Sequence, residues 1–424
     1  MSESRLKVFI RGSLFSILGI GLAGVLNYFV RREMALGLTV EEFGALYGMI
    51  AVVGIGLTFP DLGLGKAATV LVAESPDNRN RSMTGIFLLK SCFSLLVMGG
   101  FFCFHRQIIS TYMGSSGAFA AFALLISILF FQSWESLLTA YWTGLKKFGL
   151  SNIIIVCRAG FLLISGMMLL NWHGFTGAAA AFAVTPALFA IAGLLLAWRI
   201  EGFRFDFHIG KALWSRLFKL GGGIAVAIAL LNLMYNMDSV MLGKLKGETS
   251  VGYYNAALPI MQIVQLIMFL PQVLLPITVD IAAEGDYAKL RRIGRWAVLF
   301  TLILAPSAFI FFHFTGGWLI RILFSADYVQ AAPAVTLLCC GMVFYTFANF
   351  IFQILLSMNA ITYLVLASCI TAVANFLLNW TLIPEYDFSG ASLATLLSYV
   401  IFAVLSFGML EWLVMKKLRE KRNE

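Results

Sequence analysis

"LLNWHGFTGA" (Leu169–Ala178) and "LLNWTLIPEYDFSGA" (Leu377–Ala391) are two versions of one phrase, about 210 residues apart. Each reads Leu-Leu-Asn-Trp, a spacer that suggests a loop, then Phe, Thr or Ser, Gly and Ala, leading into small apolar residues. A second pair keeps the offset: "TVEEFGALYGMI" from Thr39 and "TSVGYYNAALPIM" from Thr249. Two matches in register divide a chain of 424 residues into two related halves.

Composition decides what the halves are made of. The chain is 60% hydrophobic and 12% charged, against roughly 25% charged residues in soluble domains. No water-soluble fold of this length hides so much apolar surface, so the bilayer is the solvent. Twelve stretches reach the length of a span, centred on 12–30, 43–72, 83–104, 118–143, 150–171, 176–198, 217–242, 251–283, 293–313, 332–357, 360–383 and 389–414. The expected fold is an all-α integral membrane protein with twelve transmembrane helices as two parallel six-helix lobes around a central cavity. Residues 1–205 would form the N-terminal six-helix lobe and 206–424 the C-terminal one. Six spans is an even number, so the second copy enters the membrane in the same sense as the first. The second and eighth stretches are long, with Pro60, Pro271 and Pro276 as expected kink points. In the basic connection 199–219, "KALWSRLFKL" (Lys211–Leu220) suits either a short helix lying on the membrane or a plain basic loop. Arg5, Lys7 and Arg11 before the first stretch imitate a leader, but its apolar run reaches Val30, which suggests a retained helix.

Lys and Arg set the expected orientation. With the N-terminus in the cytoplasm, inner segments hold 23 basic residues and outer loops 6, which places both termini inside. The net charge of +9 then reflects topology and not a nucleic-acid partner. All six cysteines fall in expected spans, without a CxxC pair, and read as small buried apolar residues. The four histidines have no ligand spacing. The sequence has no Walker A loop, since "DLGLGKAAT" lacks both the leading Gly and the Ser/Thr, and no HExxH or GxSxG. Short outer loops leave little room for an aqueous catalytic domain, so the chain is not read as an enzyme.

Ionisable residues inside spans are expensive and mark candidate sites. Glu135 and Arg158 should lie at similar depth, with Lys90 near that level and Asp61 and Lys66 closer to the inner interface. Shifted by the repeat offset, Arg158, Glu135 and Lys90 fall near Leu366, Val343 and Phe300, so the six-helix fold does not require them. They suit a cationic pocket for a phosphate-bearing headgroup, Arg as a bidentate fork and Lys as a point charge. A structural Glu135–Arg158 ion pair, with Lys90 snorkelling to the interface, explains the same residues. At the outer side, Asp238 in the uncharged run "LMYNMDSVML" could pair with Arg31 and Arg32 as a gate, or these could be interfacial anchors.

Tyr235–Val264, Leu319–Leu338 and Asn375–Tyr399 resemble three signatures of Wzx-type polysaccharide flippases, and "LGLTVEEFGALYG" and "PDLGLGKAATVLVAE" resemble its first two spans. That group belongs to the MOP exporter superfamily, with the MATE antiporters and MurJ-like lipid flippases. The resemblance implies two six-helix lobes in a V around a central cavity. It implies translocation of polyprenyl-pyrophosphate-linked oligosaccharide from the cytoplasmic to the outer leaflet of the plasma membrane, for surface polysaccharide or glycan assembly. Coupling to a proton or sodium gradient or to membrane potential, with no cofactor, is also implied, and glycan-assembly proteins are candidate partners. By charge type and depth, and not by a motif match, Arg158, Lys90, Lys66 and Glu135 are the candidates to bind substrate, and Asp238, Arg31, Arg32 and Asp61 the candidates to gate or couple. "LFSADY" departs from the family, which usually has Gly after the Phe, and this affects only a loop. The rival readings are a MATE-like cation or drug antiporter, a membrane polymerase or ligase of the same pathway, and a non-transporting scaffold.

Overall fold

The computed structural model describes residues 3–74, 78–114, 119–267, 275–358 and 360–423. Among them the regular elements are all helices. These are α1 (Glu3–Gly37), α2 (Val40–Asp61), α3 (Leu64–Glu74), α4 (Arg79–Cys103), α5 (His105–Tyr112), α6 (Phe119–Gly144) and α7 (Phe148–Glu201). There follow α8 (Lys211–Leu245), α9 (Glu248–Ile267), α10 (Leu275–Ala283), α11 (Tyr287–Leu323), α12 (Ala332–Ser357) and α13 (Ile361–Asn423), with a 3-10 turn at Ala326–Ala331. Seven described helices are by length and composition able to cross a membrane.

The opening phrase explains the two longest. α7 has 54 residues and α13 has 63, and a straight helix of either length would far exceed the roughly 30 Å hydrocarbon core. Each breaks once, α7 at Gly174 (φ 55°, ψ −133°) and α13 at Asp387 (φ 56°, ψ −138°). These are the residues just before the Phe of each copy. Three residues beyond each break, a Cβ on Gly177 would clash with the carbonyl oxygen of Leu169, and one on Gly390 with that of Leu382. In a straight helix, residues eight apart are about 12 Å apart. The chain therefore doubles back at both places, and glycine is needed because backbone meets backbone. The spacers are not loops: both are helical up to the break, so the longer second spacer lengthens the first arm of α13 by more than a turn. Hydrogen-bonded helix is the inexpensive way to end a pass where water is scarce.

With α7 and α13 each counted as two passes, α2–α3 as one broken pass, and α9 and α10 as the described parts of one further pass, the described helices account for the twelve expected spans. α2 ends one residue beyond Pro60, and Gly63 at φ 76° turns the chain into α3. Of the other expected kink points, Pro276 is the second residue of α10 as described and Pro271 lies outside the described residues. At the start of α2 the second repeat pair shows its use. Thr39 Oγ1 accepts from Glu42 N (3.2 Å) and Glu42 Oε2 from Thr39 N (3.0 Å), a reciprocal cap that satisfies two free donors. Thr249, its repeat counterpart, stands inside the first turn of α9.

The basic connection differs from both expectations. "KALWSRLFKL" is neither a separate helix nor a loop but the beginning of α8, which continues without interruption to Leu245. In lipid, even the three glycines at 221–223 do not break a helix, because exposed peptide groups would find no partner there. The non-helical part is the strap 202–210. Phe203 is buried against Phe87 and Tyr141, the Asp206 N–H donates to Thr84 Oγ1 (2.9 Å), and Arg81 Nε donates to the Asp206 carboxylate (3.2 Å). The His208 backbone N–H and ring, with Arg81, hold the Asp206 carboxyl below its usual range. These contacts tie the strap to the first half. The chain forms two compact units, Met1–Ala225 and Val226–Glu424.

The outer helix faces are apolar. Only 11% of the apolar window of α11 is buried, and Phe314 is 79% exposed, as lipid contact requires. The cysteines depart from the burial expected of them: Cys339 and Cys340 are buried, but Cys92, Cys103, Cys157 and Cys369 are exposed. A thiol is apolar enough to face lipid, so location in a span does not imply burial here.

Candidate functional site

Two ionic pairs lie within the first unit and share α6. Lys90, on α4, has a fully buried side chain whose Nζ donates to Asp61 Oδ1 (2.5 Å) and Ser136 Oγ (2.9 Å). It does not snorkel. Asp61 closes α2 beside the Gly63 turn, and its side chain is 55% exposed. One residue before Ser136, Glu135 accepts from Arg158 Nε of α7 at 2.8 and 2.9 Å. The Arg158 side chain is 27% exposed, and its two Nη groups make no bond among the described residues. The two charges expected at similar depth are therefore in contact, and each pair has one member open to its surroundings. Small hydroxyls allow this approach: Ser94 Oγ lies 3.0 Å from Ser133 Oγ, and Trp134 Nε1 donates to Ser91 Oγ (2.9 Å) across α4 and α6. Lys66, on α3, is exposed.

The outer arginines have partners on their own unit. Arg31 stacks over the Tyr47 ring at 4.5 Å, and Arg32 Nη1 donates to Glu33 (2.9 Å). Asp238 is held differently. It is buried on α8 and accepts from Tyr254 Oη on α9 (2.6 Å), from Asn375 Nδ2 (3.3 Å) and Asn379 Nδ2 (2.6 Å) on the first arm of α13, and from Thr395 Oγ1 (2.5 Å) on the second. Its described partners are uncharged donors of its own unit. Alongside, Asn255 Nδ2 donates to Ser239 Oγ (3.1 Å), and Asn379 Oδ1 is buried without a partner among the described residues.

Asn379 is the Asn of the second LLNW. Its counterpart Asn171 is exposed. The repeat thus marks two equivalent reversals, and one copy is also recruited to a carboxylate. Sequence reasoning found Asp238 as a lone carboxylate in an apolar run but missed its four partners. The available signal was chemical. A buried carboxylate needs several donors, and Asn375 and Asn379, four apart in an apolar stretch, occupy one helix face.

Residues 9–282 match the family described as "polysaccharide biosynthesis protein". The chain is 22% identical to the "probable low-salt glycan biosynthesis flippase Agl15" of Haloferax volcanii, over 96% of this chain and 82% of that one. Among solved structures it resembles the lipid II flippase MurJ in an inward closed conformation (TM-score 0.78, 15% identity, 94% of this chain and 87% of that one). It also resembles an inward-facing multidrug resistance MATE transporter of the MOP superfamily (TM-score 0.74, 12% identity, 95% and 99%). At these identities the likeness is one of fold: this is a multi-pass membrane chain with the helical architecture of MOP transporters.

Proposed function

The chain belongs to the polysaccharide biosynthesis protein family, and from that premise we propose that it is a flippase for polyprenyl-pyrophosphate-linked oligosaccharide. It moves the headgroup from the cytoplasmic to the outer leaflet by alternating access, in a plasma membrane with both termini in the cytoplasm, for surface polysaccharide or glycan assembly. A glycan bearing a pyrophosphate cannot shed its water in hydrocarbon without replacement partners, and the protein supplies them. The observation that carries this reading is the Arg158 fork: its Nε is fixed by Glu135 while its Nη groups are uncommitted at membrane depth. A preorganised guanidinium is the donor that best matches a phosphate. Lys66 adds a point charge. Lys90, fully covered and locked to Asp61, sets the local field and does not touch the substrate in this conformation.

Coupling is assigned to Asp238. Four neutral donors and an unpartnered Asn379 oxygen surround a carboxylate that could take up a proton or a sodium ion and release it again. A MATE-like antiporter has the same fold, and its expected acidic, aromatic cavity is at odds with the partly exposed Arg158 and the exposed Lys66.

Purified protein in sealed vesicles, with a fluorescent polyprenyl-diphosphate oligosaccharide in one leaflet, tests the proposal. Transfer to the other leaflet should be faster than in empty vesicles, slowed by Arg158→Ala and partly kept by Arg158→Lys. Transfer no faster than in empty vesicles, together with gradient-driven uptake of organic cations, would identify an antiporter instead.

A further inference from the structure

A surface pocket of about 380 Å³ lies within the second unit, where the start of α11 meets the end of α13. Ala288, Arg291, Arg292, Arg295, Trp296 and Leu299 line it from one face of α11 at helical spacing, and Leu418 closes it from α13. Glu411, on α13, holds two of these arginines. Its carboxylate accepts from Arg291 Nε (2.6 Å) and from Arg295 Nε (2.8 Å) and Nη2 (3.3 Å). One carboxylate thus aligns two guanidinium groups, leaving the Arg291 Nη donors without a partner among the described residues and a surplus of positive charge. Arg292 is exposed and forms no ion pair among the described residues.

The pocket continues into an apolar track. Trp296 is 66% exposed, one turn from Arg292, and Leu299 and Ile303 extend the same stripe along the lipid-facing side of α11. At 37 residues, α11 exceeds the hydrocarbon thickness by several turns, so its first turns lie at headgroup level with the tryptophan at the boundary, where indole rings prefer to sit. Cations at headgroup level, an indole below them and an acyl-width stripe below that form the outline of one lipid molecule.

We propose that this pocket is a binding site for an anionic phospholipid, its phosphodiester held by Arg291, Arg292 and Arg295 and an acyl chain lying along Trp296 and Leu299. The site is separate from the ionic pairs of the first unit and does not depend on the transport reading. The charge surplus selects anionic over zwitterionic headgroups, and the Glu411 clamp distinguishes it from a diffuse basic surface.

Native mass spectrometry of the full chain in neutral detergent, with phosphatidylglycerol or phosphatidylcholine added at equal concentration, provides the test. Phosphatidylglycerol adducts should be retained preferentially. Arg292→Gln, which breaks no contact, should weaken them about fivefold, the effect of roughly one interfacial charge. Trp296→Ala should weaken them as well, with the charge unchanged. Equal retention of the two lipids, or Arg292→Gln binding like the parent, would overturn the site. Complete displacement by glycerol phosphate would show a free-phosphate site, and displacement by polyprenyl diphosphate at equal concentration a substrate site. Either result refutes the lipid assignment.

Discussion

Asp387 occupies a backbone position that its repeat counterpart fills with glycine, and replacing it should stabilise the protein. At φ 56° and ψ −138° an L-residue is in a region that costs about 1–3 kcal/mol. The Asp387 Oδ1 atom is also buried without a partner among the described residues, a further penalty of about 1–3 kcal/mol for a desolvated polar atom. Against this, glycine brings extra unfolded-state entropy of roughly 0.5–1 kcal/mol. Asp387→Gly should therefore stabilise by about 1–5 kcal/mol, and Asp387→Ala by less, since alanine removes the oxygen but keeps the strain. The difference between the two variants isolates the backbone term. The mirror experiment is Gly174→Ala. A Cβ there would meet nothing within 4 Å, so its loss of about 1–3 kcal/mol would be conformational alone. Thermal unfolding in detergent, followed by tryptophan fluorescence, ranks the variants. Asp387→Gly no more stable than Asp387→Ala, with Gly174→Ala equal to the parent, would refute the reversal geometry.

Gly177→Ala and Gly390→Ala should each prevent accumulation of folded protein, because the new carbon meets the Leu169 or Leu382 carbonyl; Gly160→Ala, with nothing within 4 Å, is the control in the same expression and gel-filtration assay. Arg158→Ala should destabilise by about 2–4 kcal/mol by stranding Glu135, and adding Glu135→Gln should restore stability but not flipping; recovery of both would make the pair purely structural. The strap carries a pH signature. The depressed Asp206 carboxyl stabilises the fold above its ordinary pKa of 3.8, and that contribution is lost as pH falls through the lower folded value. Asp206→Asn should flatten the acid limb of a plot of unfolding midpoint against pH, and an unchanged limb would remove the strap from the account.

The Leu-Leu-Asn-Trp phrase shows how far sequence reading reaches. Its recurrence located two equivalent places in two related halves, but the spacer looked like loop, because Pro384, Glu385 and Asp387 are loop residues in water. In lipid the helix continues through them, and the turn is made by one residue. "KALWSRLFKL" suited a separate surface helix or a basic loop by its composition, and only the structure shows it continuing into α8, since helix is the backbone state that lipid tolerates. Glu135 and Arg158 were legible as a pair because helical rise converts position into depth. Lys90 and Asp61 were noted, but their contact was not, since it depends on the turn at Gly63.

By itself the sequence determined that the chain lives in a bilayer, how many times it passes and that its halves are related, because these follow from local hydrophobicity and from recurrence. Only the tertiary structure decided which polar atoms meet. Asp238 draws on four donors from two other helices, up to 157 residues away. Which face of each helix turns inward is set by packing against its neighbours, and hydropathy carries no record of that rotation.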